Sequence, residues 1–329
     1  MTTLRPKALV TAAVRGPGLD LLGELADLVL DSWLDQPSLR IYNEEQLAER
    51  VAAEGATVVV VESDKCSGKL FEQPLLAVAS CRGDPNNVDV ADATAAGVPV
   101  LRAPGRNADA VAEVAVALLF AATRGVVAAD RDVRAGDIYK DGTIPYQRFR
   151  AWELAGRTAG LVGLGAVGRA LRWRLRGLGM EVLAYDPYAD DATSGLDELL
   201  ERSDVVSLHA PVTPETAGMI GAAQFGRMRD GVVFLNTARA ALHNTDALVA
   251  ALEAGKVAAA GLDHFEGEWL DPAHPLAGMD QVVLTPHIGG ATYDTETNHT
   301  RTIAEDLCRL MAGARPLHIV NPEVLDRRG

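Results

Sequence analysis

Cysteine is scarce in this chain of 329 residues: Cys66, Cys81 and Cys308 are odd in number and show no CxxC spacing. That excludes a disulfide framework and a zinc knuckle, and it fits a reducing cytoplasm. Aromatic residues make up only 5%, so no base-stacking platform for nucleic acid is evident. Positive charge is outnumbered, with 31 Lys and Arg against 45 Asp and Glu and a net charge of −14. A surface of that sign argues against nucleic-acid phosphates and anionic membranes as partners, although a local group of arginines can still favour a small anion inside a cleft. Long apolar runs are missing too. The most apolar stretch, Val111 to Ala122, contains Glu113 and falls short of the ~18 uninterrupted residues of a membrane span. The first apolar run is cut off at Arg15, without the longer h-region of a secretory signal. What remains is ordinary globular material, 48% apolar and 23% charged, enough for two cores.

The most informative segment that is present is Gly160 to Asp186, GLVGLGAVGRALRWRLRGLGMEVLAYD. It reads as strand, glycine turn, helix, second strand and acidic residue. Gly163 and Gly165 allow a tight turn and a close approach of backbone N–H groups to a pyrophosphate, and Gly168 lets the helix pack on its strand. The helix N-terminus then faces negative charge. Asp186 ends the apolar run Glu181 to Tyr185, where a carboxylate accepts hydrogen bonds from both ribose hydroxyls of an adenosine, which favours NAD over NADP. A purely structural βαβ turn and an S-adenosylmethionine-binding fold are the alternatives to a dinucleotide site.

Before this segment, apolar runs at Lys7 to Ala13, Thr57 to Val61, Leu75 to Ala79 and Val98 to Leu101 alternate with helical patterns such as Glu45 to Ala53. The loose stretch RAPGR, Arg102 to Arg106, marks a boundary. Asn107 is placed to cap a helix, NADAVAEVAVALLFAATR, so apolar all round that it must be buried, between subunits on this reading. Six strands follow: the fingerprint strand, Glu181 to Tyr185, Val205 to Leu208, Val232 to Leu235, Ala258 to Leu262 and Val282 to Leu284. Thr292 to Ala312 reads as a helix. The pattern predicts an α/β protein of two doubly wound parallel-sheet domains: a Rossmann NAD-binding domain at 105–290, inserted in a flavodoxin-like substrate-binding domain made of 1–104 plus 291–329. The tail would return to the first domain, and two chain crossings would form a hinge beside a cleft.

Reactive side chains of such a sheet belong in loops beyond the carboxyl ends of its strands. Arg239 follows Val232 to Leu235, Glu268 follows Ala258 to Leu262, and His287 follows Val282 to Leu284. An arginine offers a fixed fork to a carboxylate, a histidine exchanges a proton near neutrality, and a glutamate beside that histidine stabilises its imidazolium form. Taken singly, each is more often a surface or ion-pair arginine, a solvated glutamate and a satisfied loop histidine. Their shared placement after strands of one sheet makes them a set.

These motifs carry a family resemblance. NNVDVADATAAGVPVLRAPGRNADAVAE, the glycine fingerprint, LHAPVTPETAGMI, FLNTARAALHNTDAL, AAGLDHFEGE, LTPHIGGAT and VNPEV run through nearly the whole chain. It resembles the D-2-hydroxyacid dehydrogenases, the group that includes phosphoglycerate, glyoxylate/hydroxypyruvate, D-lactate, formate and phosphite dehydrogenases. The resemblance implies a cytoplasmic, homodimeric, metal-free enzyme that uses NAD(H) to interconvert a small anionic 2-keto acid and a D-2-hydroxy acid. It gives Arg239 the substrate carboxylate and carbonyl, His287 the proton transfer, and Glu268 the tuning of His287. Ala166 and Val167 would offer amides to the pyrophosphate, Asp186 would hold the ribose, and His209 would lie near the adenine and pyrophosphate. Thr237, Ala238 and Arg239 would line the nicotinamide, Asp263 would engage its carboxamide, and Gly289 and Gly290 would complete that wall. In the first domain the substrate loop falls on Arg82, Gly83 and Asp84.

The chain departs from the family pattern in places. The usual glycine alternation of the substrate loop is replaced by Arg82-Gly83-Asp84-Pro85, so Arg82 either reaches the substrate or pairs with Asp84. Glu62 precedes Ser63 where phosphoglycerate dehydrogenases often carry arginine. His264 stands where an aliphatic residue is common, and Trp269 follows Glu268 in place of a frequent proline, shaping the pocket wall or packing the loop. No extension follows VNPEV, so a regulatory domain is not expected. Glu268 speaks against the formate enzymes, which carry glutamine there; a phosphite dehydrogenase or a non-catalytic NAD-sensing protein stay as alternatives. Arg82, with Arg102, Arg106, Arg148 or Arg150, suggests a substrate bearing a second anionic group, such as a phosphate, phosphonate or carboxylate.

Overall fold

The computed structural model describes residues 5–327. It divides into two compact units, one made of residues up to Arg106 together with those from Thr292 on, the other spanning Asn107–Ala291.

In the first unit, β1 (Lys7–Val10), β2 (Asp27–Leu30), β3 (Val58–Val61), β4 (Ala77–Ser80) and β5 (Val100–Leu101) form one sheet in the order β2-β1-β3-β4-β5. All its pairings are parallel. The run of four valines in β3 is buried on both faces, as the interior of a parallel sheet requires of stiff β-branched side chains. Strand β2 is an addition to the sequence reading. Its DLVL run follows the helix Pro17–Leu25 after a single residue and is half exposed, so nothing in its pattern separates it from the tail of that helix. The helix Tyr293–Met311 returns to this unit, with Thr292 capping it by accepting a hydrogen bond from the Thr295 amide at 3.1 Å. It lies so close to Pro17–Leu25 that a Cβ on Gly18 would sit 2.5 Å from the Arg301 nitrogen.

In the second unit, β6 (Thr158–Val162), β7 (Glu181–Tyr185), β8 (Val205–Leu208), β9 (Val232–Asn236), β10 (Val257–Leu262) and β11 (Val282–Leu284) form a parallel sheet in the order β11-β10-β9-β8-β6-β7. Helices Ala108–Arg124 and Ala166–Gly177 bury Leu118, Leu119, Leu171 and Leu175 on one face; Leu199, Phe225 and Leu248, from three further helices, fill the other. The doubly wound α/β class read from the sequence is therefore the observed one. Helix Ala108–Arg124 is buried inside this unit: the Cβ of Leu118 occupies the space that a side chain on Gly261 of β10 would need. Asn107 stands at its N-cap position but makes no capping hydrogen bond, its amide lying instead against Gly290. Asp109 and Glu113, on the exposed side, both pair with Arg174. No single helix among the described residues is long and apolar enough to cross a membrane.

Candidate active site

Strand order in the second unit reverses beside β6, whose neighbours are β7 and β8, and ligands of open α/β sheets bind at the carboxyl ends of strands at such a point. There the chain turns through Gly163 at φ 101°, and a Cβ on it would lie 2.6 Å from the Ala210 nitrogen beyond β8. Gly168 is likewise obligatory, because a side chain would collide with the Gly163 carbonyl. Gly165 differs: nothing in the protein lies within 4 Å of where its Cβ would be. The fold itself does not require glycine there, and helix Ala166–Gly177 starts at this point without a side-chain cap, so the amides of Ala166 and Val167 open a positive helix end toward that space.

Asp186 directly follows β7, accepting from the amides of Leu164 at 2.8 Å and Tyr188 at 2.9 Å. That fixes the carboxylate and leaves acceptor positions for ribose hydroxyls. Two enclosed polar atoms follow at the next strand ends with no partner in the protein, Nδ1 of His209 after β8 and Oγ1 of Thr237 after β9. The other ring nitrogen of His209 meets Ser207 Oγ at 2.8 Å, and burial pushes this imidazole down to about 4, so it is neutral at physiological pH. Open space at Gly165, an uncapped helix start, a pinned carboxylate and two unsatisfied polar atoms fit a dinucleotide.

The loops after β9, β10 and β11 bring the expected triad together. Arg239 is exposed, its Nη1 donating to the Ala238 carbonyl at 2.6 Å. His287 Nδ1 lies 2.9 Å from Glu268 Oε1, and the two side chains are 45% and 56% exposed. Glu268 and His287 both have φ 55°; among the described residues only Asp141 shares positive φ without being glycine. Left-handed backbone costs about 1–3 kcal/mol at such residues and persists where the surroundings enforce it. Asp263, fully buried at the end of β10, is one enforcer: its carboxylate accepts from Thr285 Oγ1 at 2.6 Å and from the amides of Ile288 at 2.9 Å and Gly289 at 2.8 Å, clamping the loop that presents His287. The close fit of this clamp explains Gly289, whose Cβ would sit 2.9 Å from the Asp263 carboxylate.

Two participants escaped the sequence reading. Asn236, buried at the end of β9, bonds the Ala238 amide through Oδ1 and the Arg239 carbonyl through Nδ2, shaping the arginine loop; its signal was the asparagine of FLNTARA, a polar residue closing an apolar strand. His264, noted only as a departure, is 4% exposed, with its ring centroid 3.8 Å from that of His287. Trp269 lines, with Phe265, Leu270, Leu284 and Pro286, a cavity of about 510 Å³ that opens beside Glu268 and His287.

In the first unit the Arg82 guanidinium bonds Asn86 Oδ1, Arg102 Nη1 donates to the Gly83 carbonyl at 3.3 Å, and Asp84 is exposed. Two arginines considered for a second anion are already engaged. Arg106 pairs with Glu62 at 2.6 Å and meets His299 Nδ1 at 2.7 Å, and Arg148 bonds Asp132 and Thr143. Glu62 is thus the counter-charge of Arg106.

Residues 116–289 match the family described as D-isomer specific 2-hydroxyacid dehydrogenase, NAD binding domain. The chain belongs to this dehydrogenase family. It is 37% identical to a glyoxylate reductase of Thermofilum pendens over 98% of this chain and 97% of that protein. It is 41% identical to a D-3-phosphoglycerate dehydrogenase of Archaeoglobus fulgidus over 72% of this chain but only 45% of that one. Among solved structures, the TT0316 protein of Thermus thermophilus superimposes with a TM-score of 0.81 at 33% identity, covering 95% of this chain and 99% of that one. The dehydrogenase is accordingly an NAD-dependent oxidoreductase of the 2-keto acid/2-hydroxy acid type.

Proposed function

We propose that this dehydrogenase reduces a small 2-keto acid, of the size of glyoxylate or hydroxypyruvate, to its D-2-hydroxy acid, with Arg239, Glu268 and His287 as the reacting set. The observation that carries this reading is the 2.9 Å Glu268–His287 pair, held at strained backbone beyond β10 and β11 of the sheet that bears the dinucleotide turn. Glu268 takes Nδ1 of His287, which leaves Nε2 as the proton donor to the oxygen of the substrate carbonyl. Arg239 binds the substrate carboxylate and polarises the carbonyl. Bound NADH supplies the hydride. Gly163, Gly165, Ala166, Val167, Gly168, Asp186 and His209 hold its adenosine and diphosphate, while Thr237, Ala238, Asp263, Gly289 and Gly290 form the nicotinamide end. In the first unit, backbone amides of the loop Arg82, Gly83 and Asp84 are assigned to substrate binding on the family resemblance. Arg106 and Arg148 are held by carboxylates, whereas Arg82 and Arg102 bond the neutral acceptors Asn86 Oδ1 and the Gly83 carbonyl; a second anionic group on the substrate is assigned to Arg82 and Arg102 on that difference.

The same reading includes a homodimer in the cytoplasm. Val127, Val133, Tyr139, Tyr146 and Trp152, all between residues 127 and 152 of the second unit, are 55%, 61%, 74%, 84% and 78% exposed, and a partner copy would cover them. The test of the activity is NADH oxidation, followed by absorbance, with glyoxylate, hydroxypyruvate and a phosphorylated keto acid. Turnover with a small keto acid is expected. Tight NADH binding with no turnover on any acid would assign the chain to NAD sensing instead, and a monomeric mass in solution would remove the dimer.

A further inference from the structure

We propose that His264 is a positioning residue of this site, a neutral second imidazole that steadies the Arg239 guanidinium with one ring nitrogen and the Glu268 carboxylate with the other. The proposal rests on the catalytic reading of Arg239, Glu268 and His287 above. His264 follows Asp263 at the end of β10 and is almost fully enclosed, whereas the three residues it touches are exposed. Its Nε2 lies 3.5 Å from Arg239 Nη1. A guanidinium only donates, so Nε2 is the acceptor and the ring proton belongs on Nδ1. That Nδ1 has no hydrogen-bond partner and faces Glu268 Oε1 at 3.7 Å, one small side-chain adjustment from a bond. The ring is tilted 54° against that of His287, so one buried side chain contacts every member of the set.

Burial, followed by the neighbouring His287 and Arg239, pushes His264 down to about 4. At neutral pH it therefore sits against His287 as an uncharged ring. The charged groups facing this cluster are Arg239 from the loop after β9, Asp263 and Glu268 from the loop after β10, and His287 from the loop after β11; Asp263 is already occupied by Thr285, Ile288 and Gly289. Glu268 thus has one bonded donor, His287 Nδ1 at 2.9 Å, and a second within reach, His264 Nδ1–H at 3.7 Å. An aliphatic side chain at 264 would leave the carboxylate wholly to His287 and the guanidinium without this acceptor.

Three variants separate the two contacts. In His264→Val both are lost: the KM for glyoxylate rises about three- to tenfold because the fork is less fixed. The alkaline limb of kcat/KM moves up by about 0.5–1 pH unit because Glu268 then holds the acid form of its remaining partner more firmly. His264→Asn returns an N–H near the Nδ1 position and restores the limb but not KM. His264→Gln returns an acceptor near the Nε2 position and restores KM but not the limb. NADH affinity, read by fluorescence, stays unchanged in all three. A folded His264→Val enzyme with wild-type KM and pH profile overturns the proposal, as does equal behaviour of the Val, Asn and Gln variants. The donor atoms of His264, Glu268 and His287 lie within 4.8 Å of one another; activity that requires Zn²⁺ and is lost to a chelator would assign the three to a metal and overturn it too. If His287→Gln kept its turnover, the underlying catalytic reading would fail, whatever the His264 variants did.

Discussion

The order β2-β1-β3-β4-β5 in the first unit and β7-β6-β8-β9-β10-β11 in the second is the same winding, with one strand added, but the loops leaving the carboxyl ends are of different kinds. After β1, β3 and β4 of the first unit, polar side chains satisfy one another: Thr11 bonds Asp64, Glu62 pairs with Arg106, and Ser80 bonds Asn87. After β8, β9 and β10 of the second, His209, Thr237 and His264 each keep an enclosed polar atom without a partner. The backbone differs as well, since Glu268 and His287 carry positive φ, whereas the first unit has no described non-glycine residue of that kind. The first unit also encloses unpartnered atoms, Trp33 Nε1 and Arg40 Nε after β2, so it is their coincidence with strained backbone at Glu268 and His287 that sets the second unit's loops apart.

The comparison is sharpened most by substitutions that strike the second unit's strand ends. Arg239→Ala should lower kcat/KM with glyoxylate by about a thousandfold, since it removes the only charged fork in the set; a loss below tenfold would move the carboxylate elsewhere. Gly163→Ala places a Cβ at φ 101°, 2.6 Å from the Ala210 nitrogen. It should destabilise the protein by about 2–4 kcal/mol and weaken NADH binding at least tenfold, read by urea unfolding and fluorescence titration.

Smaller effects belong to groups that only hold structure. Glu62→Gln leaves Arg106 without its counter-charge and should cost about 1–3 kcal/mol of stability while changing kcat little. If kcat fell a hundredfold instead, the first unit's internal pairs would be part of the chemistry and the contrast would break. His243 is buried against Asn236, and desolvation pushes it down to about 4. Its unfolded form binds a proton below about 6.5 while its folded form resists until about 4, so its contribution is complete above the first value and is lost as pH falls toward the second. His243→Gln should make melting temperature less steeply dependent on pH across that window, an effect of about 2–3 kcal/mol at most.

The sheet of the second unit was legible strand by strand because parallel strands buried on both faces are short apolar runs bounded by glycine and charge. Strand β2 was not, since a half-exposed run of four residues has too little pattern to part from the helix before it. The loop positions of Arg239, Glu268 and His287 followed from the same apolar runs, but the Glu268–His287 contact and the link from Arg239 through His264 did not, because side-chain convergence across three loops has no periodicity to read. Asp263 shows the limit well. The resemblance pointed it at the nicotinamide carboxamide; the fold adds three internal hydrogen bonds that shape the His287 loop, which no pattern in the sequence announces. The engagement of Arg106 by Glu62 is of the same kind, a pairing between residues 44 positions apart that no local pattern announces.

The central claim is that the strained Glu268–His287 pair of the second unit moves the proton. His287→Gln keeps a polar side chain at the same position without an ionisable group, so steady-state NADH oxidation with glyoxylate should fall by about 10²–10⁴-fold, while NADH binding, measured on the same preparation, stays within about twofold. Turnover within tenfold of the parent enzyme, at unchanged NADH affinity, would contradict the account.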